Sequence, residues 1–130
     1  EGYFHKEWQR EDKGFRRKGR IRITSDTVIR VRIGTERSEH IQFVYDKNLL
    51  CMQRRNASCQ EDADRCTDIA AENGIFDIDL IMDHSALESF FDCGRRAMST
   101  RVFLESGHRE IVFEATDFVA IEELRIYQST

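Results

Sequence analysis

Apolar and polar residues alternate in short runs along most of this chain, the period-2 signature of half-buried β-strands. The clearest run is Phe76-Asp77-Ile78-Asp79-Leu80-Ile81-Met82-Asp83, in which Ile78, Leu80 and Met82 share a face. The chain goes on through Leu87, Glu88 and Phe90 to the turn sequence Asp92-Cys93-Gly94-Arg95, then returns through Met98, Val102 and Phe103. This predicts one long antiparallel hairpin over 76–104, with Glu88 opposite Ser99 and diagonal to Arg101. Ile21 and Ile23 alternate with arginines, as do Ile29, Val31 and Ile33, which predicts strands over 20–24 and 27–34 split by Ser25-Asp26. Phe43 and Tyr45, then Leu50 and Met52, mark a second hairpin over 40–46 and 48–54, turning at Asp46-Lys47-Asn48. Later strands are expected over 109–115 and 118–128, the last with Ile121, Leu124 and Ile126 in the core.

The ends of the pattern are less regular. The opening Tyr3-Phe4-His5-Lys6-Glu7-Trp8 segment reads as a short strand or docked arm, with Trp8 at the sandwich edge, followed by a polar, mobile loop over 10–19. Segment 55–74 is the least strand-like, and one helical turn over 68–72 is expected there, stopped by Asn73-Gly74. Eight or nine short strands with almost no helix predict an all-β antiparallel sandwich or jelly roll. The whole of 1–130 reads as one such domain.

Composition adds a charged surface to that picture. The chain is 34% charged with a net charge of -4, and no apolar run approaches the roughly 20 residues that a membrane-spanning helix needs. Charge is divided along the sequence: arginines and lysines dominate the first third, aspartates and glutamates the middle. Two solvated faces that attract each other are the expected result. The alternative is a polyanion site built from Lys13, Arg16, Arg17, Lys18 and Arg20. Nucleic acid is a poor fit, because the basic run is not interleaved with aromatic residues. Proline is absent, so every turn must use Gly, Asn, Asp or Ser.

Cys51, Cys59, Cys66 and Cys93 show neither a CxxC pair nor zinc-like spacing with histidine. Two disulfides in an oxidising compartment are expected. Of the three connectivities, Cys59–Cys66 closing the acidic loop and Cys51–Cys93 tying a strand to the hairpin turn are favoured. The sequon Asn56-Ala57-Ser58 fits a secreted protein. The acidic loop lacks the ligand ladder of a calcium-binding EF-hand, so neither metal nor cofactor is expected. No nucleophile-base arrangement or phosphate loop stands out, and Asp83 and Glu88 have obvious structural roles beside basic neighbours. The chain is therefore not expected to be an enzyme.

The stretch Leu80-Ile81-Met82-Asp83-His84-Ser85-Ala86-Leu87-Glu88-Ser89-Phe90, with Gly94 and then Ser99-Thr100-Arg101-Val102-Phe103, resembles the C-terminal β-sandwich module of family 32 glycoside hydrolases. Phe43-Val44-Tyr45-Asp46, Leu49-Leu50 and Arg54-Arg55 are similar to an upstream block of that module, and the last strand to its closing strand. The resemblance implies a sandwich whose catalytic residues lie in a separate propeller domain; the Asn-Asp-Pro, Arg-Asp-Pro and Glu-Cys motifs of that propeller do not occur here. The architecture is also close to that of galectins, but the His-x-Asn-x-Arg strand and downstream Trp of a galactoside site are missing. A disulfide-bearing module without either site resembles the C-terminal galectin-like domain of apicomplexan microneme adhesins. That resemblance implies docking onto an EGF-like domain of a membrane-anchored partner during assembly of an adhesion complex.

The function expected is therefore that of a non-catalytic, secreted interaction module, the C-terminal part of a larger protein. Phe90 and Phe91 are adjacent on a strand and must face opposite ways, so one leaves the core and offers an interface anchor, with Arg95 and Arg96 as its rim. The alternative is carbohydrate binding, either as an accessory of a fructan-hydrolysing enzyme or toward a sulfated glycan through the basic segment.

Overall fold

The computed structural model describes residues 3–9, 15–58, 61–71, 74–83, 85–104 and 110–128. Eleven strands are present among them: β1 (Tyr3–Gln9), β2 (Phe15–Ile23), β3 (Val28–Ile33), β4 (His40–Asp46), β5 (Leu49–Arg55), β6 (Ala63–Asp68), β7 (Ile75–Asp83), β8 (Ala86–Phe91), β9 (Arg96–Arg101), β10 (Glu110–Thr116) and β11 (Phe118–Gln128). They form a six-stranded sheet in the order β1-β10-β3-β4-β5-β6 and a five-stranded sheet in the order β11-β2-β7-β8-β9. All nine pairings are antiparallel. The two sheets make a sandwich, as the alternation predicts.

The core lies where the two inner faces meet. Ile29, Val31 and Ile33 of β3, Ile41, Phe43 and Tyr45 of β4, and Leu50 and Met52 of β5 are buried from one side. Phe76, Ile78, Leu80 and Met82 of β7 and Leu87 and Phe91 of β8 are buried from the other. Four aromatic rings join the sheets: Phe43 meets Phe91 edge-on at 5.5 Å, Tyr45 lies 4.8 Å from Phe76, and Phe76 lies 6.2 Å from Phe91. Such contacts are favoured by the aromatic quadrupole beyond the area they bury. The β4–β5 turn falls at Lys47-Asn48, both left-handed (φ 51° and 66°), which matches the right-handed twist of the flanking strands.

Four expectations need correction. The long hairpin is a three-stranded meander: β7 and β8 pair with Asp83 opposite Ala86, so the chain reverses after β7 and again at 92–95. The reason is visible in the phase of the burial pattern, which runs on even positions through Met82 and on odd positions from Leu87. Glu88 does stand opposite Ser99. Segment 15–19, expected in a loop, is the first half of β2, hydrogen-bonded between β11 and β7. The rest of that loop, 10–14, lies outside the described residues.

Segment 55–74 holds β6 rather than a helical turn. Asp68 ends that strand, 69–71 is irregular, and Glu72 and Asn73 lie outside the described residues. Of β6 only Thr67 is even partly covered, so no apolar periodicity announces it. Finally, Cys51 is bonded to Cys66, not to Cys93, and Cys66 is therefore not bonded to Cys59. Cys51 and Cys66 are directly opposite on β5 and β6, with Cα atoms 4.0 Å apart. Cys93 sits exposed and unbridged on the β8–β9 turn of the other sheet, and Cys59 lies outside the described residues.

Candidate functional site

Strand parity decides which of the singled-out side chains can meet. On β2 the odd positions face inward: Arg17 is opposite Leu80 and only 6% exposed, with Nη1 donating to the Arg16 carbonyl at 3.2 Å. The even positions Arg16, Lys18, Arg20 and Arg22 face outward, opposite Ile81, Asp79, Asp77 and Ile75 of β7. The basic residues of β2 and the aspartates of β7 thus lie on adjoining strands of one sheet, while Arg30, Arg32, Asp64 and Asp68 belong to the other. Arg16 grips Asp79 with two hydrogen bonds, from Nε at 3.2 Å and Nη2 at 2.9 Å. At the end of the row Arg22 pairs with Glu122 of β11. The charge asymmetry is therefore compensated across strands, within one face.

The same parity separates the two phenylalanines. Phe91 is fully buried and belongs to the core, whereas Phe90 stands partly covered on the outer face, opposite Asp79. The tip beside it is held by Asp77, whose carboxylate accepts from the Cys93 N–H at 2.9 Å. That contact anchors a turn in which Asp92, Cys93 and Gly94 all have left-handed backbone (φ 55°, 55° and 87°). Gly94 N donates to Phe91 O and Arg95 N to Asp92 O, closing the turn. Arg95 and Arg96 project from it into solvent.

Together these residues enclose a shallow cleft of about 490 Å³ on the outer face of the five-stranded sheet. Its lining includes Arg16, Lys18 and Arg20 from β2, Asp77, Asp79 and Ile81 from β7, Phe90 from β8 and Glu123 from β11. Three cations and three carboxylates balance. The structure therefore brings Phe90 together with three of the five basic candidates. It turns Phe91 and Arg17 away and leaves Arg95 and Arg96 on the tip, outside the lining. Lys13 lies outside the described residues. Asp77 and Asp79 were not singled out as site residues from the sequence, although their odd parity in the β7 alternation already sets them opposite Ile78 and Leu80, on the solvent side.

A second cluster closes one end of the sandwich. Glu39 is buried, and its Oε1 accepts from Ser58 N at 2.9 Å and Ser58 Oγ at 2.7 Å, while Oε2 accepts from Phe103 N at 2.9 Å. Arg54 reaches from β5 to Thr100 of β9, Nη1 to Oγ1 at 3.0 Å. Asn56 of the sequon donates its amide to Glu36 O at 2.9 Å and Ser38 O at 3.3 Å. These are connections between sheets and loops. Among the described residues, no group of three His, Cys, Asp or Glu side chains lies close enough to hold a metal ion.

No curated protein sequence matches this chain. Among solved structures, sheep galectin-11 in complex with glycerol superposes with a TM-score of 0.67 at 10% identity, covering 95% of this chain and 96% of the galectin. Exo-inulinase from Aspergillus awamori gives a TM-score of 0.67 at 13% identity, covering 92% of this chain but only 27% of the enzyme. Fructofuranosidase from Schwanniomyces occidentalis gives 0.63 at 14% identity, with 94% and 30% covered. At such identities the likeness shows the fold alone, and in the two enzymes this chain corresponds to less than a third of the molecule. Residues 20–128 match the sequence model described as "Glycosyl hydrolases family 32 C terminal". With most of the chain inside that match and both sheets in place, the protein belongs to the family of C-terminal β-sandwich domains of family 32 glycosyl hydrolases.

Proposed function

We propose that this chain is a non-catalytic accessory module of a larger secreted protein and that it binds a partner protein through the outer face of its five-stranded sheet. The observation that carries the reading is Phe90. It is held out of a core that takes Phe91 and stands on the outer face opposite Asp79, which Arg16 compensates; Arg95 and Arg96 are exposed at the nearby tip, with Arg96 in register with Phe91 rather than Phe90. An apolar side chain ringed by polar groups is the usual composition of an interface anchor and its rim. The Cys51–Cys66 disulfide supports an oxidising compartment, since such bonds persist there. The partner class proposed is an EGF-like domain within an adhesion complex, on the resemblance of the sequence to microneme adhesins. A photo-crosslinker at position 90 is expected to capture one defined partner in the secreting cell, and a crosslinker at position 30 on the opposite sheet is not. Equal capture from both positions, or none, contradicts the reading.

The cleft favours a second reading, recognition of a neutral oligosaccharide. Its balanced donors and acceptors suit hydroxyl groups, and Phe90 offers an apolar surface for a ring. A polyanion would meet the carboxylates of Asp77, Asp79 and Glu123 along with the cations. Neutral glycans shifting the amide resonances of β2, β7 and β8, with no heparin retention at physiological salt, is the expected pattern. Heparin retention with silent neutral glycans reverses it.

A further inference from the structure

Edge strand β6 is attached to the molecule in an unusual way. Its six residues are all exposed except Thr67, which is half-buried, so it contributes almost nothing to the core. Apart from the backbone ladder from Leu49–Asp68 to Arg54–Ala63, it is held by surface contacts. These are the Arg55–Asp64 ion pair and, just before the strand, Arg54 Nε donating to Glu61 O at 2.9 Å and Ala57 N donating to Asp62 Oδ1 at 2.9 Å. Exposed ion pairs contribute little. Among the described residues the one covalent tether is the disulfide from Cys51, half-buried on β5, to Cys66, exposed on β6. Immediately beyond the strand the chain is anchored again: Ile69 is buried, its N–H donates to Asn48 O at 2.9 Å, and its carbonyl accepts from the Tyr45 hydroxyl at 3.0 Å.

We propose that the Cys51–Cys66 bond is a redox-sensitive clasp whose reduction releases β6 and residues 61–62 before it, bares the edge of β5, and leaves the two-sheet core folded. A dithiol reductant supplies the electrons. Its thiolate attacks the exposed Cys66 sulfur and expels the Cys51 thiolate, which takes a proton; the second thiol then resolves the mixed disulfide and frees Cys66. The reductant leaves as a cyclic disulfide, and two electrons and two protons have passed to the protein's sulfurs. Opening stops at Ile69, because that residue is seated in the core independently of the disulfide. The newly bared β5 presents unpaired N–H and C=O groups, the template an added strand recognises.

Hydrogen exchange read by mass spectrometry tests this on the oxidised chain, the dithiothreitol-reduced chain and the Cys51→Ser/Cys66→Ser double variant. Loss of protection of about tenfold or more is expected over 61–68 and at the β5 amides facing β6, with β3, β4, β7 and β8 unchanged. The double variant should match the reduced chain, and reoxidation of the wild type should restore protection. Unchanged protection over 61–68 in the double variant overturns the proposal, and so does loss throughout both sheets, which would make the bond a global staple. A bond that dithiothreitol cannot open in the folded chain overturns it as well.

Discussion

Glu39 keeps a carboxylate 4% exposed at the end of the sandwich, a position that is tenable only because donors converge on it. Ser58 supplies two of them and the Phe103 N–H a third, so one side chain fastens the segment after β5 to the segment after β9. Replacing it with alanine removes the acceptors and leaves those donors unsatisfied, which costs about 2–4 kcal/mol. Glu39→Gln keeps one acceptor oxygen and should cost about half as much. Urea unfolding with the disulfide intact measures both, and equal costs would show that packing rather than hydrogen bonding holds the residue. Gly34 is fixed in the same region by backbone geometry. Its φ is +98°, and a Cβ there would come within 2.8 Å of Leu104 Cδ2 and 2.9 Å of the Glu39 carbonyl. Nothing in the hydrophobic pattern marks Glu39, because its partners come from two distant loops.

At the scale of one element, β6 and its approach respond to acid. The carboxyl of Asp62 is held below the ordinary carboxylate range chiefly by the Ala57 N–H, and that of Asp64 chiefly by the Arg55 guanidinium. A folded-state value below the unfolded one contributes stability that is complete above the unfolded value and is lost as pH falls through the folded one. Amide protection over 57–68 should therefore be flat from neutral pH down to about 5 and decline below about 4. Asp62→Asn/Asp64→Asn should lower protection at neutral pH and flatten the acid limb; an identical acid limb in wild type and variant contradicts this. The neighbouring meander shows what element-level pattern reading can recover. Its reversal between β7 and β8 is written in the switch of buried positions from even to odd, a signal that a reading of one long strand passes over. For β6 no such signal exists, since a strand held by its backbone ladder, a disulfide and surface ion pairs needs no apolar side chains.

For the whole molecule, the inter-sheet aromatic cluster separates core from surface. Phe91→Ala removes a ring in contact with Phe43 and Phe76 and should cost about 3–5 kcal/mol. Phe90→Ala, on the outer face, should cost under about 1 kcal/mol and act on partner capture instead. Thermal or urea unfolding of the two variants decides it, and comparable losses would mean that Phe90 also serves the core. The cleft beside Phe90 is a property of the assembled sheet. Its basic wall comes from β2 and its acidic wall from β7, which are more than fifty residues apart in sequence; Arg16 and Asp79, for example, are separated by 63 positions.

Period-2 alternation is local, so the sequence by itself determined that this chain is made of strands, which side chains of β3, β4, β5 and β7 fill the core, and that Phe90 and Phe91 part company; on β11 it misled, since Ile121 is 40% exposed. It also carried the resemblance to a hydrolase accessory sandwich, because that block of residues is contiguous. Only the tertiary structure decided which strands beyond the two short hairpins lie side by side. That choice paired Cys51 with Cys66, set the arginine row against the aspartate row, and gave an exposed polar segment its place as a sheet edge. Each of these depends on backbone register between distant segments, and backbone hydrogen bonding carries no side-chain signature from which that register could be read.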